Sequence, residues 1–333
     1  MATLAAFGEI LLRLNPPGYQ RISQAGSFEF SVAGAEANVA VACASLGHQT
    51  YFLSVVPENE VASTALRHLN FWHVNTDRVI LAGRRLGLYY LENGFAARPS
   101  NVIYDRENSA ISEADPTIYD WSKLLAGCDW FHTSGITAAL SEVATRATAA
   151  GLRHAHEAGL RTSFDMNYRR KLWSPQHARA AIESMLPTID LLVSSPDQLS
   201  DIFGLGSVGG EEAESAEQLA AEAVRRLPIR SLAMTLRKTE NERHYRAAVW
   251  ADAEKTVRTP WLRCDILERI GGGDAFSGGL ISALMEGQSG EEAAIFGVAA
   301  ACLKHTIPGD FIKMTREEIN AIARQEKSRG VAR

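Results

Sequence analysis

The chain has 333 residues, 46% hydrophobic and 22% charged, enough for about two domains, or for one large α/β domain with an appendage, without disulfides or structural metal. With 34 Lys and Arg against 39 Asp and Glu, the net charge of −5 excludes the basic footprint of a nucleic-acid binder and gives no pull toward an anionic membrane surface. No apolar run reaches the roughly 18–20 residues of a spanning helix, and no basic segment precedes the apolar N-terminal stretch, so a cytoplasmic protein is expected.

In chain order, Thr3–Gly8 reads as a strand. Ala35–Leu46 reads as a small-residue helix closed by Gly47, and Tyr51–Val56 as a buried strand. Glu60–Leu69 is helical in pattern. Two stretches differ from this rhythm. Residues 13–32 carry the breakers Pro16, Pro17 and Gly18, and residues 78–111 carry short β-like runs, Leu86–Glu92 and Asn101–Tyr104, around Gly94 and Pro99. They predict a small β flap set on a larger core.

Alternation resumes near residue 113. Trp130–Thr133, Arg161–Phe164, Asp190–Val193 and Ser231–Leu236 read as strands, and Glu142–Ala158, His177–Met185 and Glu211–Arg226 as helices. Gly204–Glu217 reads as a surface loop running into the last of these, with Glu211 and Glu212 solvated. Two β-like runs, Ala247–Ala251 and Thr256–Pro260, precede a glycine cluster. Helices at Asp274–Glu286, Gly290–His305 and Arg316–Arg324 follow, and the last eight residues are expected to fray. Repeated β-then-α units predict an α/β fold with a mainly parallel sheet covered on both faces. The four cysteines, Cys43, Cys128, Cys264 and Cys302, are scattered and read as reduced, buried thiols.

Chemistry concentrates at Gly271-Gly272-Gly273-Asp274, where three glycines meet an aspartate at a helix start. The first amides of a helix lack intrahelical partners and favour an anion, so this is a place for a phosphate or a developing oxyanion. Asp274 is either an N-cap or a general base for an attacking hydroxyl. A P-loop is excluded because the chain has no Gly-Lys pair, and Phe276 stands where GxGxxG needs its third glycine. HExxH and GxSxG are also missing. Asp165-Met166-Asn167-Tyr168-Arg169 follows a predicted strand, at the edge where α/β proteins place ligands. Tyr104-Asp105-Arg106 lies in the flap, and arginine suits bidentate recognition of carboxylate or phosphate.

Together with Ala33-Gly34-Ala35-Glu36-Ala37-Asn38 near the front, these words resemble the ribokinase or PfkB family of sugar kinases over nearly the whole chain. Within that family they are most similar to the branch acting on 2-keto-3-deoxygluconate. Gly8–Leu14, Val102–Arg106, Phe131–Thr137, Asp165–Trp173 and Lys304–Phe311 carry that likeness. The resemblance implies a ribokinase-like three-layer αβα core formed by residues 1–12, 33–77 and 112–333. It also implies a β-sheet lid formed by 13–32 and 78–111, through which the chain forms a homodimer or higher homo-oligomer. It implies ATP and Mg²⁺, leaves a monovalent cation open, and makes a sugar acid the acceptor at its 6-hydroxyl. No protein side chain is assigned to a metal. Substrate contacts carry over to Gly34, Asn38, Tyr89, Tyr104, Arg106, Arg169 and Asp310, with Arg106 as the cation for the acid group. Asn167, Arg169, Ser195, Thr235, Arg237, Gly271 and Gly273 carry over to the nucleotide side. Asp274 carries over as the base, in a turn with Gly271, Gly272 and Gly273.

Three positions depart from the family pattern. Ala33 replaces a glycine, and Gly272 replaces an alanine. Ser195-Pro196-Asp197-Gln198 stands where the family has Asn-x-x-Glu; either Asp197 compensates from one position away, or the metal is held more weakly, or the chain has drifted from efficient catalysis. The alternatives are a kinase for a fructose-like ketose or a nucleoside, and a catalytically weak sugar-binding member of the family.

Overall fold

The structure, a computed structural model, describes residues 2–206 and 212–326. In chain order the first elements are β1 (Thr3–Phe7), β2 (Leu11–Asn15), β3 (Glu29–Ala33), α1 (Ala35–Ser45), β4 (Gln49–Leu53), β5 (Val55–Val56), α2 (Glu60–Phe71) and β6 (Ile80–Leu81). Next come β7 (Gly87–Glu92), β8 (Asn101–Asp105), α3 (Ala110–Glu113), α4 (Trp121–Leu124), β9 (Trp130–Ser134), α5 (Gly135–Ala138), α6 (Glu142–Glu157) and β10 (Arg161–Asp165). Then follow α7 (Pro175–Met185), β11 (Leu191–Ser194), α8 (Pro196–Phe203), α9 (Glu212–Arg226), β12 (Ser231–Glu240) and β13 (Arg243–Asp252). The chain closes with β14 (Thr256–Arg258), β15 (Leu262–Arg263), α10 (Gly272–Met285), α11 (Gly290–Lys304) and α12 (Arg316–Ala323).

Among these residues the large sheet has nine strands, ordered β14-β13-β12-β11-β10-β9-β1-β4, with β15 also on β13. Strands β4 through β12 run parallel, and β13 to β15 join antiparallel. Side chains alternate between two cores. Ala5, Phe131, Phe164 and Leu192 face a cluster with α6, α7, α8 and α9, while Leu4, Trp130, Leu191 and Ala233 face α1, α10, α11 and α12. That is the three-layer α/β arrangement the alternation predicts. The strands read as continuous apolar runs because both faces are covered. Helix ends follow local rules: Asn59 and Ser141 accept from the amides of Ala62 and Ala144, and Gly159 ends the turn after α6 with φ 80°.

A second sheet, ordered β3-β2-β7-β8, stands apart from the first. Its register sorts side chains into two rows. Phe30, Leu14, Tyr90 and Ile103 are successive partners across all four strands, and so are Ser31, Arg13, Tyr89 and Tyr104. Phe30 and Ile103 are exposed, whereas Arg13 and Tyr89 are buried.

Several elements differ from the sequence reading. Helix α8 was not anticipated. Strands β12 and β13 run to Glu240 and start at Arg243, well beyond the apolar runs, because their distal halves are polar and give no hydrophobic signal. Glu212 is helical rather than part of a loop, while Glu211, most of the expected loop and residues 327–333 of the fraying tail lie outside the described residues. The four cysteines are free and buried, as expected. Among the described residues no helix is long and apolar enough to cross a membrane.

The β12–β13 hairpin turns on Asn241 and Glu242, with φ of 49° and 62°. Two successive left-handed residues make a turn of the I′ kind, in which glycine is preferred second. Glu242 is exposed and pays the left-handed penalty. Glu242→Gly is therefore expected to stabilise the protein by about 0.5–1 kcal/mol in denaturant unfolding, net of added chain entropy. A destabilised variant would contradict the turn assignment.

Candidate active site

The C-terminal ends of β9, β10, β11 and β12, the start of α10 and the buried row of the small sheet enclose a cavity of about 300 Å³. Its wall contains Gly34, Asn38, Tyr89, Tyr104, Arg106, Asn167, Arg169, Ser195, Thr235, Arg237, Gly271, Gly273, Asp274 and Asp310. Of the residues to which the sequence reading carries a site role, Gly272 stays outside it, as does Asp197, the expected substitute in the Ser195–Gln198 segment. The ring of His305 lies against Gly272, so that any side chain there would collide with it. Gly271, the N-cap of α10, has φ 74° and leaves room for only a hydrogen, with the Asp310 carbonyl 2.9 Å from where a Cβ would sit. These two constraints hold the first amides of α10 open toward the cavity.

Asp274 sits in the first turn of α10 and accepts from Asn38 Nδ2 at 2.5 Å. Burial pushes its carboxyl up to about 7, with Asp165 and Glu36 pushing the same way and the Asn38 bond and Arg169 opposing. Asp165, at the end of β10, is pushed up to about 6 by burial although it accepts from the Asn167 amide and Ser277 Oγ. Asn167 itself has φ 34°, a conformation asparagine tolerates better than most residues, and it lies two residues beyond the end of β10.

One end of the cavity is strongly cationic. Arg169, Arg237, Arg246 and Arg269 all line it, and among the described residues none of the four forms an ion pair with a carboxylate. Arg237 and Arg246 are register partners on β12 and β13. Like charges placed directly opposite destabilise a sheet, so the pair marks a place built for an anion. Burial, then Arg246, Arg169 and Arg269, push the Arg237 guanidinium below its usual range. Arg246 is oriented from behind, because its Nη2 donates to His305 Nε2 while His305 Nδ1 donates to the Glu268 carbonyl at 2.7 Å. His305 is fully buried and burial pushes it down to about 4, so it is neutral and free to accept.

The other end lies under the small sheet. Tyr89 donates to Asp310 at 3.2 Å, and Arg13 Nη1 lies 2.9 Å from Asp310 and 2.7 Å from Glu268. Burial pushes Asp310 up to about 6 while Arg13 pulls it down. Arg106 is almost wholly buried and paired with Glu9 at 2.6 Å, so its charge is already neutralised within the protein. Its Nε and Nη2 face Glu9, and Nη1 has no hydrogen-bond partner among the described residues.

Residues 1–316 match the model of the pfkB family of carbohydrate kinases. The chain belongs to that family. It is 37% identical over 323 residues to a 2-dehydro-3-deoxygalactonokinase of Haloferax volcanii, covering 97% of each. A 2-dehydro-3-deoxygluconokinase of Thermoproteus tenax is 28% identical, over 93% of this chain and 90% of its own. The crystal structure of a 2-dehydro-3-deoxygluconokinase from Thermotoga maritima superposes with a TM-score of 0.92 at 37% identity, covering 97% of this chain and 98% of that one. The protein is thus a sugar kinase of the family, with the ribokinase-like fold expected.

The departures from the pfkB pattern resolve differently. Ala33 packs with Leu11, Tyr89 and Leu91 and is accommodated without strain. Ser195 and Gln198 form a capping box on α8: Gln198 Oε1 accepts from the Ser195 amide at 3.1 Å. Asp197, the expected substitute, is exposed and does not line the cavity, although it acts electrostatically on Arg237. Sequence reasoning also gave no role to Glu9, Arg13, Arg246 and Arg269. Arg13 alternates with Leu12 and Leu14 and reads as an outward polar residue, yet the register turns it inward.

Asp274 is half-buried and carries an acid–base consequence for stability. Its native pKa of about 7 lies above the ordinary 3.8, so the folded state binds the proton more tightly and stability falls as pH rises from about 4 to 7. Asp274→Asn removes that penalty. The variant is expected to be more stable than the parent by about 2 kcal/mol at pH 8, after allowing for the open side of the group, with the gain vanishing near pH 4. Thermal unfolding across that range measures it. A pH-independent difference would contradict the raised pKa.

Proposed function

We propose that this kinase transfers the γ-phosphoryl group of ATP to the 6-hydroxyl of 2-keto-3-deoxygluconate, with Asp274 as general base. The observation that carries the reading is the position of Asp274. It is a carboxyl poised near 7 at an open helix N-terminus, between an arginine cluster without carboxylate partners among the described residues and a sugar-sized, hydrogen-bonding chamber.

The donor set fits both groups the family's chemistry requires. A triphosphate suits Arg169, Arg237, Arg246 and Arg269, whose charges have no carboxylate partner among the described residues. Mg²⁺ is typically held by one or two carboxylates with phosphate and water, and Asp165 is a buried carboxylate in the cavity wall for that role. When bound, Mg²⁺ supplies neutralisation of phosphate charge. Asn38 holds the Asp274 carboxylate in place, and Asp274 takes the proton of the 6-hydroxyl as that oxygen attacks in line. The amides of Gly272, Gly273 and Asp274 take up charge on the moving phosphoryl group. The sugar acid lies under Tyr89, Tyr104 and Arg106, with Arg106 Nη1 turned to the carboxylate and Asp310 to a hydroxyl. The small sheet serves as a lid that excludes water. The Haloferax relative supports a second reading for the acceptor, the galactonate epimer.

ADP release with Mg-ATP is the test, against 2-keto-3-deoxygluconate, 2-keto-3-deoxygalactonate, fructose, ribose, adenosine and no sugar. Turnover is expected with the keto-deoxy acids alone, with kcat/KM rising through pH 7 and then level. Asp274→Asn is expected to lower kcat by about 10³-fold. Turnover with neutral sugars alone would overturn the role of Arg106. Binding without turnover would make the protein a sugar-binding family member.

We also propose that a second copy covers the outer row of the lid, where Phe30 and Ile103 are 59% and 47% exposed and Phe28 packs edge-on against Tyr90. Sedimentation is expected to show a dimer that Phe30→Glu dissociates. A monomeric parent protein would remove this proposal.

A further inference from the structure

Lys304, the last residue of α11, has no exposed surface. Its ammonium donates to the Ile307 carbonyl at 2.9 Å, and among the described residues it makes no direct ion pair. Its aliphatic end runs directly beneath the glycine turn, where a methyl group on Gly271 would come within 3.0 Å of Lys304 Cε. Burial pushes the ammonium below the usual lysine range and Arg13 adds to that push, while Glu268, Asp310 and Asp274 hold it toward its charged form.

A buried ammonium without a direct counter-charge is a costly way to fill space. A methionine, one atom shorter, would fill the place of the stem without burying a charge, at the loss of the bond to Ile307. What the ammonium adds is positive charge behind Gly271, on the far side of the turn from the cavity. Phosphoryl charge gathers at the amides in front of it, and a fixed charge in a buried setting acts more strongly than one in water. A bound monovalent ion would need several oxygen ligands around a free space. Behind Gly271 that space is taken by the lysine stem and the Asp310 carbonyl, and the ammonium would repel a second cation. The residues present therefore do not fit a monovalent ion.

We propose that Lys304 is the built-in cation of the anion-binding turn, acting through Gly271, and that this kinase works without an added monovalent cation. The proposal rests on the phosphoryl-transfer reading above. It makes Lys304 a positioning residue, because it touches the turn rather than the substrate.

The test compares the wild-type protein at matched ionic strength in K⁺, Na⁺ and tetramethylammonium salts. Two quantities are read: kcat on the acid that turns over, and affinity for a non-hydrolysable ATP analogue by calorimetry. Both are expected to agree across the three salts within about twofold. Lys304→Met is expected to lower kcat about a hundredfold and analogue affinity about tenfold while leaving the sugar KM unchanged. Lys304→Ala, which leaves room for a small cation, is expected to regain activity when methylammonium or K⁺ is added. A wild type that needs K⁺, or a Lys304→Met protein with unchanged kcat and affinity, would overturn the proposal. If the variants do not fold, the salt comparison on the wild type decides. A wild type that turns over no sugar sinks the kinase reading instead, and analogue binding in the three salts then still decides the role of Lys304.

Discussion

A conflict of charge at the start of α10 governs the design of this protein. A polyanion needs cations close by, yet the base beside it must keep a proton affinity near neutrality, which nearby cations would destroy. The fold separates the two demands. Arg237, Arg246 and Arg269 stand together at one end, and Arg169 is the cation that does most to lower Asp274. Burial, Asp165 and Glu36 then outweigh that single arginine. At the sugar end two further cations are already paired, Arg106 with Glu9 and Arg13 with Asp310 and Glu268. Cations committed to carboxylates shape a sugar-sized chamber with little free charge, and Arg106 keeps only its Nη1 for a ligand.

The elements that settle this conflict were unequally legible in the sequence. The glycine turn with Asp274, the strand-end cluster at Asp165–Arg169 and the α/β alternation were all readable, because helix starts and fully buried strands leave strong local patterns. The β12–β13 hairpin was half-readable. Its inner halves are apolar, but Arg237 and Arg246 lie on the polar halves, where alternation looks like ordinary solvated surface. The facing of the two arginines depends on register, which a turn of two left-handed residues sets and local composition does not. Arg13, Glu9 and Lys304 were hidden for a related reason. Each is a charged residue within an apolar stretch, and its burial becomes visible only when the distant segment that answers its charge is folded against it. Ser195–Gln198 shows the opposite limit: the motif departure was visible, but its local use as a helix cap was not weighed.

His305 ties the turn to the arginine cluster. Its ring occupies the space that Gly272 leaves, its Nδ1 proton is spent on the Glu268 carbonyl, and its Nε2 lone pair holds Arg246. The same backbone carbonyl segment carries Glu268, whose carboxylate meets Arg13 under the small sheet. The phosphate end and the sugar end of the cavity are therefore braced by one short stretch, residues 267–274, rather than by two independent loops. Rigid bracing of this kind keeps reacting groups within tight tolerances.

The two rows of the small sheet carry an inheritance of their own. Because side chains alternate with a period of two, any single-residue insertion or deletion in β2 would turn Arg13 to solvent and Leu14 into the cavity at one stroke. The surface available to a neighbour and the roof above the cavity are printed on opposite sides of the same ribbon. Lineages of this protein can diversify either side by point substitution, but they cannot change the length of that ribbon without disturbing both.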